Sequence, residues 1–431
     1  MAMNKRHMVT LKRSCSCSMP GVWRAVAHNE GAAVIFHSPK ACGHVAREME
    51  LGGQYSALAR TLKLEHAYRA PLVTSNLTDD HSIFGGAEQL RGCIDFTMQT
   101  YKPAYVLLAA SCLAGVIGDD VEAVAEEAEA FWKVPVMSVP CSGFLDGEYG
   151  AGFYFAAQRL IDRLMRPQAT EPDTVVLLGD RRGPGGAEEA ELQELLSVFG
   201  LRIVGHFPNY SSLEEIRMLP AASFCIPLGG HTQPEYSMGR LASYLEEKFG
   251  IPYLQQEYPS GWEGTKAWLT ALGKALGREE KTAAAIAKQS RRVAEASAAL
   301  LPWTQGRSAV LGIGRPLTHF QPQWVLEVLA LAQMKLEGII LFAGLTPEQH
   351  QELRKALEGV GAPIVDEEAG KTLLTEEAVL LSTHEVEEMG LRQLQLPVLT
   401  PVGVGGLLEV LTKLGRLLKR SPYRGGVVYG W

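Results

Sequence analysis

Seven cysteines are the residues best suited to chemistry, and they are unevenly placed. They are Cys15, Cys17, Cys42, Cys93, Cys112, Cys141 and Cys225, with six in the first third of the 431 residues. Thiolates are soft ligands that suit zinc and iron–sulfur groups. Cys15 and Cys17 form a C-x-C in RSCSCSMPGVWRA, where Ser and Pro-Gly mark a loop before a helix. Cys42 follows an apolar run and a Ser-Pro turn in AAVIFHSPKACGHVAREM, with a helix expected after Gly43. Cys112 follows the run AYVLLA (104–109) and precedes GVIGDD.

All three settings are strand-to-helix loops or helix starts, on what becomes one edge of a parallel sheet. Ligands bind at that edge in open α/β sheets. Amides at helix N-termini also stabilise thiolates and the anionic sulfides of a cluster. The spacing 17, 42, 112 is not a compact C-x₂-C motif. On chemistry alone, scattered buried cysteines are the commoner outcome, and a dispersed cluster is the sharper alternative. The C-x-C leaves open whether Cys15 or Cys17 ligates. Cys141, in VPCSGFLDG, reads as a loop cysteine, with an additional cluster ligand as the alternative. Cys93 reads as helix core and Cys225 as a buried strand residue. His37 is expected to shape the turn before Cys42.

The elements that must hold these residues alternate strand and helix. Expected strands are 32–36, 71–75, 104–110, 134–139, 173–179, 201–207, 223–227, 308–313, 338–344 and 378–382. They are rich in Val, Ile and Leu throughout, as parallel strands covered on both faces are. Amphipathic helices are expected at 121–133, 187–199, 237–249 and 347–359. The alternation predicts an α/β fold with parallel sheets flanked by helices. Breaks at RPQATEPD and LLPWTQGRS predict three Rossmann-like domains, 1–168, 169–302 and 303–420, with a tail at 421–431.

Composition bounds the function. Hydrophobic residues make up 46% and charged residues 21%, with a formal net charge of −7, which fits sizeable packed cores. No basic stripe or aromatic-basic alternation points to nucleic acid. No stretch approaches the roughly 18 apolar residues needed to cross a membrane. No apolar signal segment follows the basic start, so a cytoplasmic location is expected, where disulfides are rare. No Walker A sequence occurs, and GDRRGPGG (179–186) lacks the dinucleotide-binding spacing.

Four stretches resemble component 1 of the nitrogenase superfamily. That group includes the nitrogenase α and β subunits, cofactor-assembly scaffold subunits, and dark-operative protochlorophyllide and chlorophyllide reductases. The stretches are FHSPKACG (36–43), NLTDDHSIFGGAEQLRGCID (76–95), SCLAGVIGDDVEAV (111–124) and LASYLEEKFGIPYL (241–254). In the first, Lys40 and Ala41 depart from the family's His-Gly-Pro-x-Gly-Cys turn. The third carries the most specific motif, Cys-x-x-x-x-Ile-Gly-Asp-Asp. The resemblance implies Cys17, Cys42 and Cys112 as ligands, with Cys17 preferred over Cys15 for its 25-residue separation from Cys42. It implies a [4Fe–4S] or [8Fe–7S] cluster at an interface with a homologous component 1 subunit, in a homo- or hetero-oligomer. It also implies a separate ATP-dependent iron-protein reductase. Asp119 and Asp120 are expected to cap helix amides rather than to catalyse.

The family's second metallocofactor takes one Cys and one His from later domains. Here the corresponding regions read LGGHTQPEYSMGR (228–240) and LPVLTPVGVGGLLEV (396–410), with no Cys in the first and no His in the second. His231 and Cys225 are near but out of register, and His231 and His319 are the loop histidines left as candidate proton donors. Three functions follow. The first is a subunit of a nitrogenase-like oxidoreductase. The second is a non-catalytic scaffold for metallocofactor assembly. The third is an α/β metabolite-binding protein with incidental cysteines.

Overall fold

The computed structural model describes residues 17–51, 68–145, 149–179, 184–228, 234–256, 258–314, 322–384, 386, 391–397 and 400–419. The first sheet is built from β1 (Ala32–His37), β2 (Leu72–Thr74), β3 (Tyr105–Ala110) and β4 (Val136–Ser142), in the order β2-β1-β3-β4. All neighbours are parallel, with Ile35 opposite both Val73 and Leu108. Every residue of β1 is buried. The reason is coverage of both faces, because successive side chains point to opposite sides. Val34, Phe36, Leu107 and Ala109 share one apolar cluster with Trp23, Val26 and Leu160, from the helices Met19–Val26 and Tyr149–Arg163. Ala33, Ile35, Val106 and Leu108 share another with Leu90, Ile94 and Val124, from the helices Ala87–Tyr101 and Val121–Trp132.

The second sheet takes β5 (Glu171–Gly179), β6 (Arg202–Pro208) and β7 (Ala222–Pro227) in the order β6-β5-β7. The third takes β8 (Ser308–Ile313), β9 (Lys335–Leu341), β10 (Ile364–Asp366), β11 (Val379–Ser382) and β12 (Arg392–Gln395) in the order β10-β9-β8-β11-β12. Both are parallel. The expected fold class, α/β with parallel sheets flanked by helices, is the fold observed, with three such sheets among the described residues.

By its internal contacts the chain forms two compact units, divided between Glu257 and Tyr258. The first sheet and the second lie in the N-terminal unit. The third sheet lies in the other, where helices Gly261–Ala275 and Glu279–Thr304 pack with Gly403–Lys419. No helix among the described residues is long and apolar enough to cross a membrane. The expected tail, 421–431, lies outside the described residues.

Local differences have local causes. The strand expected at 338–344 is β9, three residues earlier. Its start carries the charged Lys335 and Glu337, and Glu337 is held by Ser308 and Lys335 rather than by apolar packing. β10 and β12 are short edge strands with half-buried, partly polar sequences, so no apolar run marks them. The helix expected after Gly43 begins at Lys40. Pro39 has the locked φ that suits a helix entry, which brings Cys42 into the first turn.

Candidate cluster-binding site

The carboxyl edge of the first sheet is where β1 ends at His37, β3 at Ala110 and β4 at Ser142. Cys42 lies in the first turn of the helix after β1. Cys112 is the first residue of a six-residue helix, Cys112–Ile117, which intervenes between β3 and the Asp-Asp helix start. Cys17 immediately precedes Ser18, the N-cap position of Met19–Val26. All three are half-buried. Cys15 lies outside the described residues.

Backbone and hydroxyl hydrogen bonds tie the three loops together. The Ser18 amide and hydroxyl both donate to the Gly143 carbonyl, at 3.3 and 3.0 Å. Gly143 in turn abuts the Cys112 amide nitrogen. The Ser111 amide donates to the His37 carbonyl at 3.1 Å, and the Cys42 amide to the Pro39 carbonyl at 3.1 Å. Cys17 and Cys42 pack on the same buried apolar cluster, which also contains Cys141. The position of Cys17 depends on two glycines. A Cβ on Gly152 would lie 1.8 Å from the Ser18 carbonyl oxygen, and one on Gly21 would lie 1.9 Å from that of Tyr149. Only bare backbone lets these two helices meet so closely.

The other cysteines are placed differently. Cys141 is buried on β4, and its thiol points to the Ala110 carbonyl at 3.9 Å. Burial pushes the Cys93 thiol up to about 12, and it raises Cys225 well above the usual thiol range. Both therefore stay protonated and read as core, as expected. Among the described residues, no three His, Cys, Asp or Glu side chains gather tightly enough to ligate one metal ion.

His37 does shape the turn, through a buried hydrogen-bond chain. The Ser38 amide donates to Ser75 Oγ at 3.1 Å, and Ser75 Oγ meets His37 Nδ1 at 2.9 Å. His37 Nε2 meets Asp119 Oδ2 at 2.9 Å, and the Gly86 amide donates to both Asp119 oxygens at 2.9 and 3.0 Å. The chain closes with a neutral imidazole: Ser75 O–H donates to Nδ1 and Nε2–H donates to Asp119. Burial lowers the His37 pKa, partly offset by Asp119. A Cβ on Gly86 would fall 2.5 Å from Leu77 Cδ2, 2.8 Å from Asp119 Oδ2 and 2.9 Å from His37 Cε1. The Phe-Gly-Gly, His-Ser-Pro and Gly-Asp-Asp stretches therefore interlock. Asp120 caps Val121–Trp132 by accepting from the Ala123 amide, as expected. Asp119 instead serves His37 and Gly86. The serines around Cys17 mark a loop but not the partner of Ser18, and neither the lone Ser75 nor the Gly in CSGF carries a sign of its contact.

The elements around Cys112 expose apolar side chains. Ile83 and Phe84 are 76% and 85% exposed, Val116 is 77%, and Phe144 and Leu145 are 61% and 64%. Helix His81–Phe84 and the turn Gly143–Leu145 both contact Cys112–Ile117, so these residues form one neighbourhood. Contiguous exposed apolar surface of this kind marks interaction sites.

Of the remaining candidates, only Cys225 lies among the described residues, and it does not join this edge. Cys225 is buried on β7. His231, His319, Arg181 and Arg182 lie outside the described residues. In the GDRRGPGG turn, the Gly185 amide donates to Glu189 of the following helix.

Comparison with known proteins identifies the fold and the family. The structure resembles that of nitrogenase Cp1, with a TM-score of 0.66 and 17% identity, covering 95% of this chain and 89% of that one. A NifE iron-molybdenum cofactor biosynthesis protein of Clostridium pasteurianum is 34% identical over 50% of this chain and 46% of its own length. A nitrogenase molybdenum-iron protein alpha chain of Methanosarcina barkeri is 26% identical over 57% of this chain and 46% of its own. The chain spans about half the length of these two curated relatives. The family model for nitrogenase component 1 type oxidoreductases matches residues 17–373. With a match that begins at Cys17 and runs through the first two sheets into the third, the chain belongs to the nitrogenase component 1 type oxidoreductase family.

Proposed function

We propose that this chain is one subunit of a nitrogenase-like oxidoreductase, with Cys17, Cys42 and Cys112 holding an interface iron–sulfur cluster of [4Fe–4S] or [8Fe–7S] type. One observation carries the reading: three half-buried cysteines on separate loops, hydrogen-bonded into one carboxyl edge, beside exposed apolar side chains. The donor set fits the group. Thiolates suit iron–sulfide clusters, and each binds a different iron, so they stand farther apart than the donors of a single ion. When bound, the cluster supplies one-electron transfer.

The chain's own residues do the rest. Ser18, Gly143 and His37 hold the cysteine loops in register. Ile83, Phe84, Val116, Phe144 and Leu145 are the surface for a homologous component 1 subunit, whose burial of that patch would exclude water from the edge. ATP hydrolysis falls to a separate iron-protein reductase, since the sequence has no Walker A motif.

The second reading is a scaffold subunit on which a metallocofactor is assembled. Two observations favour it: the similarity to NifE, and the lack of Cys in 228–240 and of His in 396–410. The two readings separate by experiment. Iron and acid-labile sulfide are measured after anaerobic purification, with electron paramagnetic resonance of the dithionite-reduced sample, for wild type beside Cys112→Ser. Iron that is lost in the variant supports the cluster in either reading. Substrate reduction with an iron-protein reductase selects the oxidoreductase. Transfer of a metallocofactor to a second protein, without turnover, selects the scaffold. Iron absent from wild type overturns both.

A further inference from the structure

The short helix that carries Cys112 is fastened at both ends to a single residue. At its start, the Ser111 amide donates to the His37 carbonyl at 3.1 Å, while Ser111 Oγ caps the helix by accepting from the Ala114 amide at 3.2 Å. Past its end, Gly118 turns the chain in the left-handed region, at φ +81°, and Asp119 returns to the His37 imidazole at 2.9 Å. His37 is the last residue of β1, five residues before Cys42 in the following helix. The His37 main chain thus meets the start of the Cys112 helix, and its side chain the residue just past that helix's end.

We propose that His37 and Asp119 form a positioning pair that fixes the Cys112 thiol relative to Cys42, through their side-chain contact past the end of the helix Cys112–Ile117, with the His37 main-chain carbonyl holding its start. The proposal deepens the cluster reading above and rests on it for the nature of the ligand, though not for the geometry. Three features distinguish the pair from ordinary core. A six-residue helix is too short to hold itself in place, so its ends decide where its first residue sits. Both Asp119 oxygens are engaged, by His37 and by the Gly86 amide. Space at the pair is exhausted, as the steric exclusion at Gly86 shows. Through the Gly86 amide, Asp119 also links this helix to the segment that follows the helix His81–Phe84, which bears Ile83 and Phe84. The same pair thereby joins the exposed apolar surface to the Cys112 helix.

The test uses the full-length chain with Asp119→Asn and His37→Phe, and Asp120→Asn as control. Asp119→Asn removes one charge and sets an amide donor against the Gly86 N–H. Asp120→Asn removes the same charge one residue away and keeps a good helix cap. Iodoacetamide alkylation of Cys112 is followed by peptide mass spectrometry on chelator-stripped protein. The electron paramagnetic resonance g-values and midpoint potential are read on iron-loaded protein. The expected result is a severalfold faster alkylation of Cys112 in Asp119→Asn and His37→Phe, with altered g-values and potential, and wild-type behaviour in Asp120→Asn. Wild-type alkylation and g-values in a folded Asp119→Asn would overturn the proposal, even if its melting temperature fell, because the pair would then be structural only. The alkylation arm needs no iron. Iron missing from wild type therefore sinks the cluster reading, while alkylation still decides the positioning pair.

Discussion

Gly143 lies directly against Cys112: a Cβ on it would stand 2.9 Å from the Cys112 amide nitrogen and 3.5 Å from its Cβ. Its φ of +59° is also one that L side chains rarely adopt. Both constraints act on the residue whose carbonyl holds Ser18, so one glycine seats two cysteine loops. Gly143→Ala is expected to lower unfolding stability by about 2 kcal/mol in urea titrations. Iron per chain should fall with it. Gly118→Ala is the comparison, with φ +81° but no atom within 4 Å. It should cost about 1 kcal/mol of backbone strain and leave iron content unchanged.

The buried and half-buried cysteines should separate cleanly. Cys112→Ser is expected to lose most iron and little stability, because the residue is half-buried at a helix start. Cys225→Ser places a hydroxyl in a fully buried apolar site and should cost about 2 kcal/mol. Its iron should match wild type. Iron and sulfide analysis beside denaturant melts reads both, and retention of iron in Cys112→Ser would remove that residue from the ligand set.

Asn29 joins the first sheet to the loop after β6. Its side-chain amide donates to the Tyr105 hydroxyl at 2.9 Å and to the Pro208 carbonyl at 2.7 Å, and its oxygen accepts from the Ser211 amide at 3.0 Å. Asn29 is fully buried. Asn29→Ala would leave these groups without their partner, at an expected cost of about 3 kcal/mol. Urea unfolding measures this, and a loss within experimental error of zero would show that water replaces the amide.

His28 gives the N-terminal unit an acid-sensitive point. Burial, with the Arg24 guanidinium second, lowers its pKa to about 4, despite a hydrogen bond to the Tyr68 carbonyl. The ring also stacks on Tyr210, with centroids 5.0 Å apart. Between the folded value and the ordinary 6.5, the unfolded chain binds the extra proton, so stability rises with pH across that window. The loss on going from pH 7 to pH 5 should be about 2 kcal/mol. His28→Gln should flatten that part of the stability–pH curve, and an unchanged slope would assign the acid sensitivity to other groups.

Much of the fold was legible because of coverage. β1, β3 and β8 are buried on both faces, so their residues had to be apolar throughout, and such runs are visible without any alignment. β10 and β12 were not legible, since edge strands with half-exposed faces need no such pattern. The candidate cysteines were legible by type and by their place after strands. The parts that hold them were not. Ser75 is a lone serine 38 residues from its partner His37, and Gly143 is 31 residues from Cys112.

Strand and helix periodicity, the cysteine distribution and the Gly-Asp-Asp motif are properties of the chain itself, and they determined the α/β class, the family resemblance and the candidate ligands. Which of two adjacent aspartates caps a helix and which is drawn to His37 was decided only in three dimensions. The same holds for the meeting of Ser18 with Gly143 and for the exclusion of any side chain at Gly86. The physical reason is range. Periodicity records burial against a neighbouring layer, residue by residue, whereas a hydrogen bond or a steric limit between distant loops exists only once the strands have brought their ends to a common edge.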